Sequence, residues 1–259
     1  YIYMMKTILI AESGSTKTDW CLIQSGKKKK FQTQGINPFF QEEADILSLL
    51  HNEIKVGIVT SSISDIYFYG AGIQSKGAKV KLTKCLKTFF NAKKIHAESD
   101  MLAAVRALCG KESGITCILG TGSNSAYYNG SKISFKTPSL GYVLGDEGGA
   151  TSIGKKVLQY YLHNIFDKEL LQSFDMLYQT NQEEILESVY SKPLPNRFIA
   201  GFASFIFEHR GHYMIENIAE DCLNDFFINH LLRYPKLDKT KVHFCGSVAY
   251  FLQDILQSL

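Results

Sequence analysis

The stretch ITCILGTGSNSAYY, residues 115–128, is the part of the sequence that decides the fold. Two β-prone runs, residues 115–119 and 124–128, flank a loop of glycines and hydroxyl residues. A similar unit opens the chain at TILIAESGSTKTDWCLI, residues 7–23, again as strand, loop and strand. We interpret the two units as an internal duplication in which each unit starts a β-meander.

Helical patterns follow each of these units. Apolar residues recur every three to four positions from Gln41 onward, and most of the chain beyond residue 150 is predicted to be helical until a last strand at residues 242–245. This alternation predicts an α/β protein of two similar lobes, with ligands in the crevice between them. We place the first domain at residues 1–112 and the second at residues 113–259.

The composition is that of a globular protein. The chain has 259 residues, of which 45% are apolar and 20% charged, and this excludes the disordered and fibrous classes. The net charge of +3 is too small to indicate a nucleic-acid or membrane partner. The basic run at residues 27–30 is better explained as a solvated hairpin turn.

The cysteines and the absence of a long apolar run indicate a cytoplasmic protein. Six cysteines are spread along the chain without close ligand spacing, so we interpret them as buried free thiols, which suit a reducing cytosol. No apolar run approaches the roughly 20 residues that span a bilayer, and the opening residues are too short for a signal peptide. The helical pattern continues to Leu259, which leaves open a second domain that is truncated at its C-terminus.

The two glycine loops are candidate phosphate-binding loops. Backbone N–H groups of a tight loop can converge on phosphate oxygens, and glycine removes the Cβ that would block their approach. Taken alone, the first loop is better explained as a tight turn, and it lacks the order of a Walker A loop. A pair of such loops can hold a triphosphate from both sides. The predicted phosphate-binding residues are Gly14, Ser15, Thr16 and Lys17 in the first loop and Gly120, Thr121 and Gly122 in the second.

Three polar side chains near these loops have two readings each. Asp100 follows the predicted N-cap Ser99, so it either acts as a general base or only favours its helix N-terminus. Asp146 lies in the segment GDEGG, which is either a ligand-binding loop or an acidic helix start. Asn37 is either a ligand contact or an ordinary Asx-turn residue.

Eight segments together resemble a known family. They are ESGSTKTDW from Glu12, GINPF from Gly35, YFYGAG from Tyr67, ESDMLAA from Glu98, LGTGSNS from Leu119, GYVLGDEGG from Gly141, PNRFIAGF from Pro195 and FCGSVAY from Phe244. In order and spacing they are similar to the N-acetylglucosamine kinase branch of the BadF/BadG/BcrA/BcrD ATPase group. That group belongs to the superfamily of actin-like ATPases and sugar kinases, which has a ribonuclease H-like fold.

The resemblance implies an activity and assigns roles to residues. It implies transfer of phosphate from MgATP to an N-acetylated amino sugar, such as N-acetylglucosamine or N-acetylmuramate, with Asp100 as the catalytic base. It also allows a homodimer. Glu12 stands where the family more often has Asp, and it would position Mg²⁺ through water. The implied sugar contacts are Asn37, Ser123, Asn124 and Asp146, and the implied adenosine contacts are Gly246 and Ser247.

Two other functions are open to the same broad family. One is an ATP-driven activator of a reductase or dehydratase, which holds an iron–sulfur cluster on suitably placed cysteines that the loops here do not supply. The other is a sugar-binding regulator without catalysis, which usually carries a DNA-binding segment.

Overall fold

The computed structural model describes residues 6–14, 17–54, 63–73, 75–90 and 92–259. It divides into two compact units, Tyr1–Ala103 and Ala104–Leu259. In the described residues, no helix is both long enough and apolar enough to cross a membrane.

The described residues of the first unit form a five-stranded sheet and three helices, the last of which runs past the unit boundary. Its elements are β1 (Ile8–Ser13), β2 (Lys17–Gln24), β3 (Lys27–Gln34), α1 (Glu43–Glu53), β4 (Asp65–Gly70), α2 (Lys76–Phe90), β5 (Lys94–Ser99) and α3 (Asp100–Cys109).

The sheet of the first unit has the strand order β3-β2-β1-β4-β5. The meander β1-β2-β3 is antiparallel, whereas β4 and β5 run parallel to β1. In this register Ser13 lies beside Gly70, and Gly70 lies beside Ser99. The carboxyl ends of the three parallel strands therefore meet at one edge of the sheet.

Trp20 is at the centre of the core of the first unit. Alternate residues of β2 are buried, and this pattern places Thr18, Trp20 and Leu22 on the inner face. The indole stacks on Phe31 at a centroid distance of 5.8 Å, and its Nε1–H donates to Thr33 Oγ1 at 2.9 Å. Loss of so large a buried side chain costs about 3–5 kcal/mol. This core holds the meander against α1 and α2.

The second unit combines a four-stranded sheet with a mainly helical remainder. Its elements are β6 (Ser113–Leu119), β7 (Ser123–Asn129), β8 (Ile133–Lys136), α4 (Gly141–Leu144), α5 (Ala150–Leu162), α6 (Lys168–Tyr178), α7 (Gln182–Tyr190), α8 (Pro195–Gly201), α9 (Ser204–Glu208), α10 (Tyr213–Asn229), two 3₁₀ turns (Leu231–Arg233 and Leu237–Lys239), β9 (Val242–Cys245), α11 (Ser247–Phe251) and α12 (Gln253–Ser258).

The sheet of the second unit repeats the topology of the first. Its order is β8-β7-β6-β9, with an antiparallel meander β6-β7-β8 and β9 parallel to β6. The core beside it is built from helices and aromatic rings, among them Phe174, Phe202 and Phe205, which are all buried. The predicted α/β fold with a duplicated meander is confirmed.

The predicted turn at residues 27–30 is wrong. The hairpin turn is formed by Ser25 and Gly26, both with positive φ, and the four lysines belong to β3. They are exposed there because β3 is an edge strand of the sheet. Charged residues on an edge strand also oppose unwanted pairing with another chain.

Candidate active site

The first glycine loop and the head of α3 lie at the same edge of the first sheet. Ser13 ends β1 and Ser99 ends β5, and the sequence continues directly into Gly14 and Asp100. The Ser99 hydroxyl accepts the N–H of Leu102 at 3.3 Å, which confirms it as the N-cap of α3. Asp100 occupies the first helical position, where Oδ1 accepts the N–H of Met101 at 2.8 Å.

Carboxylates are concentrated at this edge. The pKa of Glu12 lies above its ordinary value because the surrounding protein removes part of its solvent and because the negative charges of Asp100 and Asp19 disfavour ionisation. Lys17 opposes this shift and also pairs with Asp19 at 3.2 Å. Because two further acids disfavour the ionisation of Glu12, added positive charge at this position is stabilising.

The buried hydroxyl of Ser13 connects the first glycine loop to the loop that carries Asn37. Ser13 Oγ donates to the carbonyl of Ile36 at 3.0 Å and accepts the Ile36 N–H at 2.9 Å. It also lies 2.7 Å from the Thr18 hydroxyl, which in turn donates to the Gln34 carbonyl. The two loops therefore form one hydrogen-bonded unit.

Asn37 has the turn geometry that its sequence context predicts. Its Oδ1 accepts the N–H of Phe39 at 3.0 Å, as in an Asx turn, and its own N–H donates to the Gln41 side chain at 2.7 Å. Gly72, with φ of 76°, lies so close to this amide that a Cβ there would clash with it. The side chain of Asn37 is half-buried and held in place from both sides.

The first loop is closed by a hydrogen bond from the Gly14 N–H to the Lys17 carbonyl at 3.0 Å. Lys17 is exposed at the start of β2. Ser15 and Thr16, which were predicted to bind phosphate, lie outside the described residues.

The second glycine loop is attached to the N-terminus of α5. The N–H groups of Ala150 and Thr151 donate to the carbonyls of Gly120 and Thr121 at 2.8 and 2.9 Å. In the described part of the chain, the N–H groups of Thr121 and Gly122 have no protein acceptor. Two fixed donors at the end of a strand are the arrangement that a phosphate oxygen requires.

Asp146 and Ser123 lie together behind this loop. Asp146 Oδ1 accepts the Ser123 N–H at 3.3 Å, and a Cβ on Gly122 would come within 2.7 Å of the same carboxylate. Burial raises the pKa of Asp146; the Ser123 N–H opposes that shift and neighbouring Glu147 adds to it. Among the described residues, the Ser123 hydroxyl is the only buried side-chain polar atom without a partner. Such an atom is a candidate ligand contact.

Asn124 is half-buried beside them, and its Oδ1 accepts the N–H of Ser125 at 3.0 Å. Its amide NH₂ faces no protein acceptor in the described residues, so it keeps a donor for a ligand.

Gly246 and Ser247 follow β9 at the carboxyl edge of the second sheet. Gly246 has φ of 107° and packs directly on the carbonyl of Leu119, so a side chain could not be accommodated there. A cavity of about 760 Å³ borders Gly246 and is also lined by Phe244, Tyr250 and Gln253. Its size is that of a site for a small organic ligand.

The structure thus brings the predicted residues together within each unit. Glu12, Gly14, Lys17, Asn37 and Asp100 belong to one sheet edge of the first unit. The second loop, Ser123, Asn124, Asp146 and Gly246 belong to one sheet edge of the second. Sequence reasoning missed Ser13, Asp19, Glu147 and His230, since nothing but their three-dimensional contacts distinguishes them from ordinary polar residues.

Comparison with known proteins identifies the class. No family model and no curated protein matches the chain. A proposed N-acetylglucosamine kinase from Chromobacterium violaceum has a similar structure, with a TM-score of 0.75 at 17% identity over 97% of this chain and 91% of that one. A ROK family glucokinase from Streptomyces griseus, in complex with glucose and AMPPNP, gives 0.55 at 13% identity over 97% and 88%. The fold is that of the actin-like ATPases and sugar kinases, as predicted.

The family follows from a more similar structure. A proposed N-acetylglucosamine kinase from Porphyromonas gingivalis is 41% identical to this chain, with a TM-score of 0.92 over 97% of this chain and 89% of that one. The chain belongs to the N-acetylglucosamine kinase family of sugar kinases. The predicted family is confirmed.

Proposed function

We propose that the protein transfers the γ-phosphoryl group of ATP to a hydroxyl of an N-acetylated amino sugar. The observation that carries this proposal is the position of Asp100, at the head of α3 and in electrostatic contact with Glu12 at the end of β1. It is supported by 41% identity to a proposed N-acetylglucosamine kinase.

Asp100 is the proposed general base. A carboxylate in the first turn of a helix is stabilised in its charged form by the helix dipole, so it can accept the proton of the sugar hydroxyl as that oxygen attacks the γ-phosphorus. Burial and the charge of Asp100 raise the pKa of Glu12, so the two carboxylates interact electrostatically at this edge of the sheet.

Glu12 is the proposed magnesium-positioning residue. In the described residues no group of three acids, histidines or cysteines is arranged to hold a metal ion directly. The carboxylates of Glu12, Asp19 and Asp100 nevertheless repel one another, and this fits a hydrated divalent cation held between Glu12 and the phosphates. The cation would neutralise charge on the transferring group.

The two glycine loops are the proposed phosphate contacts. Gly14, Ser15, Thr16 and Lys17 would contact the phosphates from the first loop, with Lys17 as a cation. Thr121 and Gly122 would donate the N–H groups that have no protein acceptor in the described residues, and Gly120 allows their approach. Gly246 and Ser247 would receive the adenosine in the adjoining cavity.

Asn37, Ser123, Asn124 and Asp146 are the proposed sugar contacts. The hydroxyl of Ser123, which has no partner in the described part of the chain, lies beside the carboxylate of Asp146, and this pair suits sugar hydroxyls. Asn37 brings an amide from the loop that Ser13 fixes to the first glycine loop.

A substrate panel tests the proposal. ADP release is measured with MgATP and N-acetylglucosamine, N-acetylmuramate, glucosamine or glucose, and mass spectrometry identifies the phosphorylated sugar. We expect sugar-dependent ADP release that is greatest with an N-acetylated sugar. ADP formed at the same rate without any sugar would contradict the kinase function.

A further inference from the structure

A buried chain of polar side chains runs behind the Asp146 loop of the second unit. The Tyr234 hydroxyl donates to Ser125 Oγ at 2.7 Å, Ser125 Oγ lies 2.7 Å from Thr137 Oγ1, and Thr137 Oγ1 lies 2.9 Å from His230 Nδ1. His230 Nε2 lies 3.3 Å from Glu147 Oε2. This series of hydrogen bonds therefore ends at Glu147, the residue next to Asp146.

One assignment of the hydrogens is consistent with all of these contacts. Ser125 accepts from Tyr234 and donates to Thr137, and Thr137 donates to His230 Nδ1, which also lies 3.4 Å from Ser125 Oγ. The remaining imidazole hydrogen is then on Nε2, where it donates to Glu147. In this assignment Ser125 and Thr137 each donate and accept, and both ring nitrogens of His230 have a partner.

The C-terminal end of α10, where His230 lies, contacts the Asp146 loop at a second point. Gly148, with φ of 70°, packs so closely on Phe226 that a Cβ would lie 2.8 Å from the Phe226 Cβ. Phe226 and His230 are one helical turn apart, and their rings stack at a centroid distance of 4.6 Å. The backbone N–H of His230 donates to the Phe226 carbonyl at 2.8 Å. Both residues that follow Asp146 are therefore attached to one rigid element.

The backbone conformation of Asp146 needs the support of these neighbouring residues. Its φ of 61° is in the left-handed region, which is unfavourable for a residue other than glycine. An unsupported loop would relax toward an ordinary conformation, and the carboxylate would leave the Ser123 N–H.

We propose that Glu147 and His230 are positioning residues that hold Asp146 in its sugar-binding conformation. The inference rests on the proposed function, since it deepens the account of the same sugar site. Neither side chain is a proposed contact of substrate, so their effect is exerted through Asp146 and Ser123.

The experiment compares Glu147→Ala, Glu147→Gln and His230→Ala by steady-state kinetics in which sugar and ATP are varied separately. We expect Glu147→Ala and His230→Ala to raise the KM for N-acetylglucosamine about tenfold or more, with the KM for ATP within about twofold. Glu147→Gln keeps an oxygen that accepts from Nε2–H, so it should retain the KM for sugar within about threefold.

His212→Ala is the matched control. His212 caps the other end of α10 and pairs with Asp167 at 3.0 Å, as His230 pairs with Glu147 at the C-terminal end. Thermal unfolding of all variants separates stability from positioning. We expect His212→Ala to lower the melting temperature without changing the KM for sugar.

The outcomes are distinguishable. Wild-type protein without sugar-dependent ADP release would overturn the proposed function and this inference with it. Active wild type with an unchanged sugar KM in Glu147→Ala would overturn the inference alone, as would equal KM changes for sugar and ATP. If His230→Ala does not fold, Glu147→Ala carries the test, because the Glu147 side chain is 24% exposed and its removal leaves a smaller defect.

Discussion

The two glycine loops join equivalent strands of two sheets whose first four strands have the same order, but their surroundings differ. The loop between β1 and β2 lies among three carboxylates, Glu12, Asp19 and Asp100. The loop between β6 and β7 is tied by backbone hydrogen bonds to α5 and has one acid, Asp146, held in place behind it. The strands and turns of the two units correspond, whereas the residues around the loops differ, and we propose metal and base roles for those of the first unit and sugar contacts for those of the second.

The largest expected effect is that of Asp100→Asn. Asparagine keeps an Oδ1 that can accept the Met101 N–H, so α3 should begin unchanged, but the variant has no base. We expect kcat to fall by about 10²–10⁴ with the KM for ATP within a few fold, as measured by ADP release.

Asp45→Asn is the control for Asp100→Asn. Asp45 is an exposed acid in the first turn of α1, where it accepts the N–H of Glu42 at 3.1 Å. Its replacement removes an acid from a helix start in the same unit, and kcat should not change. If Asp100→Asn keeps more than about a tenth of wild-type kcat, Asp100 is not the base.

An effect of intermediate size is expected from Glu12→Gln, which tests the cluster of Glu12, Asp19 and Asp100. The pKa of Glu12 is raised in the folded protein, so ionisation destabilises the fold, and this cost appears as pH rises through the folded pKa. In metal-free protein we expect the variant to be more stable than wild type at pH 7, by less than about 1 kcal/mol, with the difference vanishing below the ordinary pKa of a glutamate. Thermal unfolding against pH measures it.

The same variant should also need more magnesium. At limiting Mg²⁺ we expect kcat/KM to fall about tenfold, with partial recovery at high Mg²⁺. Glu98→Gln is the control, because Glu98 is paired with Lys79 at 3.0 Å. Equal loss in both variants, or a Glu12→Gln variant that is less stable at pH 7, would contradict the proposed role of Glu12.

The sequence predicts those features of the structure that depend on residues close together in the sequence, and it misses contacts between distant residues. The strands, the glycine loops and the N-cap Ser99 depend on neighbouring residues, and the structure has them where local patterns indicate. The lysines at residues 27–30 were misplaced because an edge strand exposed on both faces has no alternating pattern to recognise. The contact of His230 with Glu147 spans 83 positions, and no local pattern reports it.

The smallest effect on catalysis, and the sharpest comparison, is expected from Ser123→Ala against Ser125→Ala. Both serines are buried on the same face of β7. The Ser123 hydroxyl has no partner among the residues that the structure describes, whereas the Ser125 hydroxyl bonds Tyr234 and Thr137. Ser125→Ala should cost about 1–3 kcal/mol of unfolding free energy because it leaves buried donors unsatisfied.

Ser123→Ala removes only an unpaired hydroxyl, so the free protein should be as stable as wild type or slightly more stable, while the KM for sugar rises a few fold. Chemical denaturation and sugar kinetics on the two variants measure these opposite signs. A loss of stability in Ser123→Ala with an unchanged KM would show that the hydroxyl supports the fold of the second loop and not its ligand.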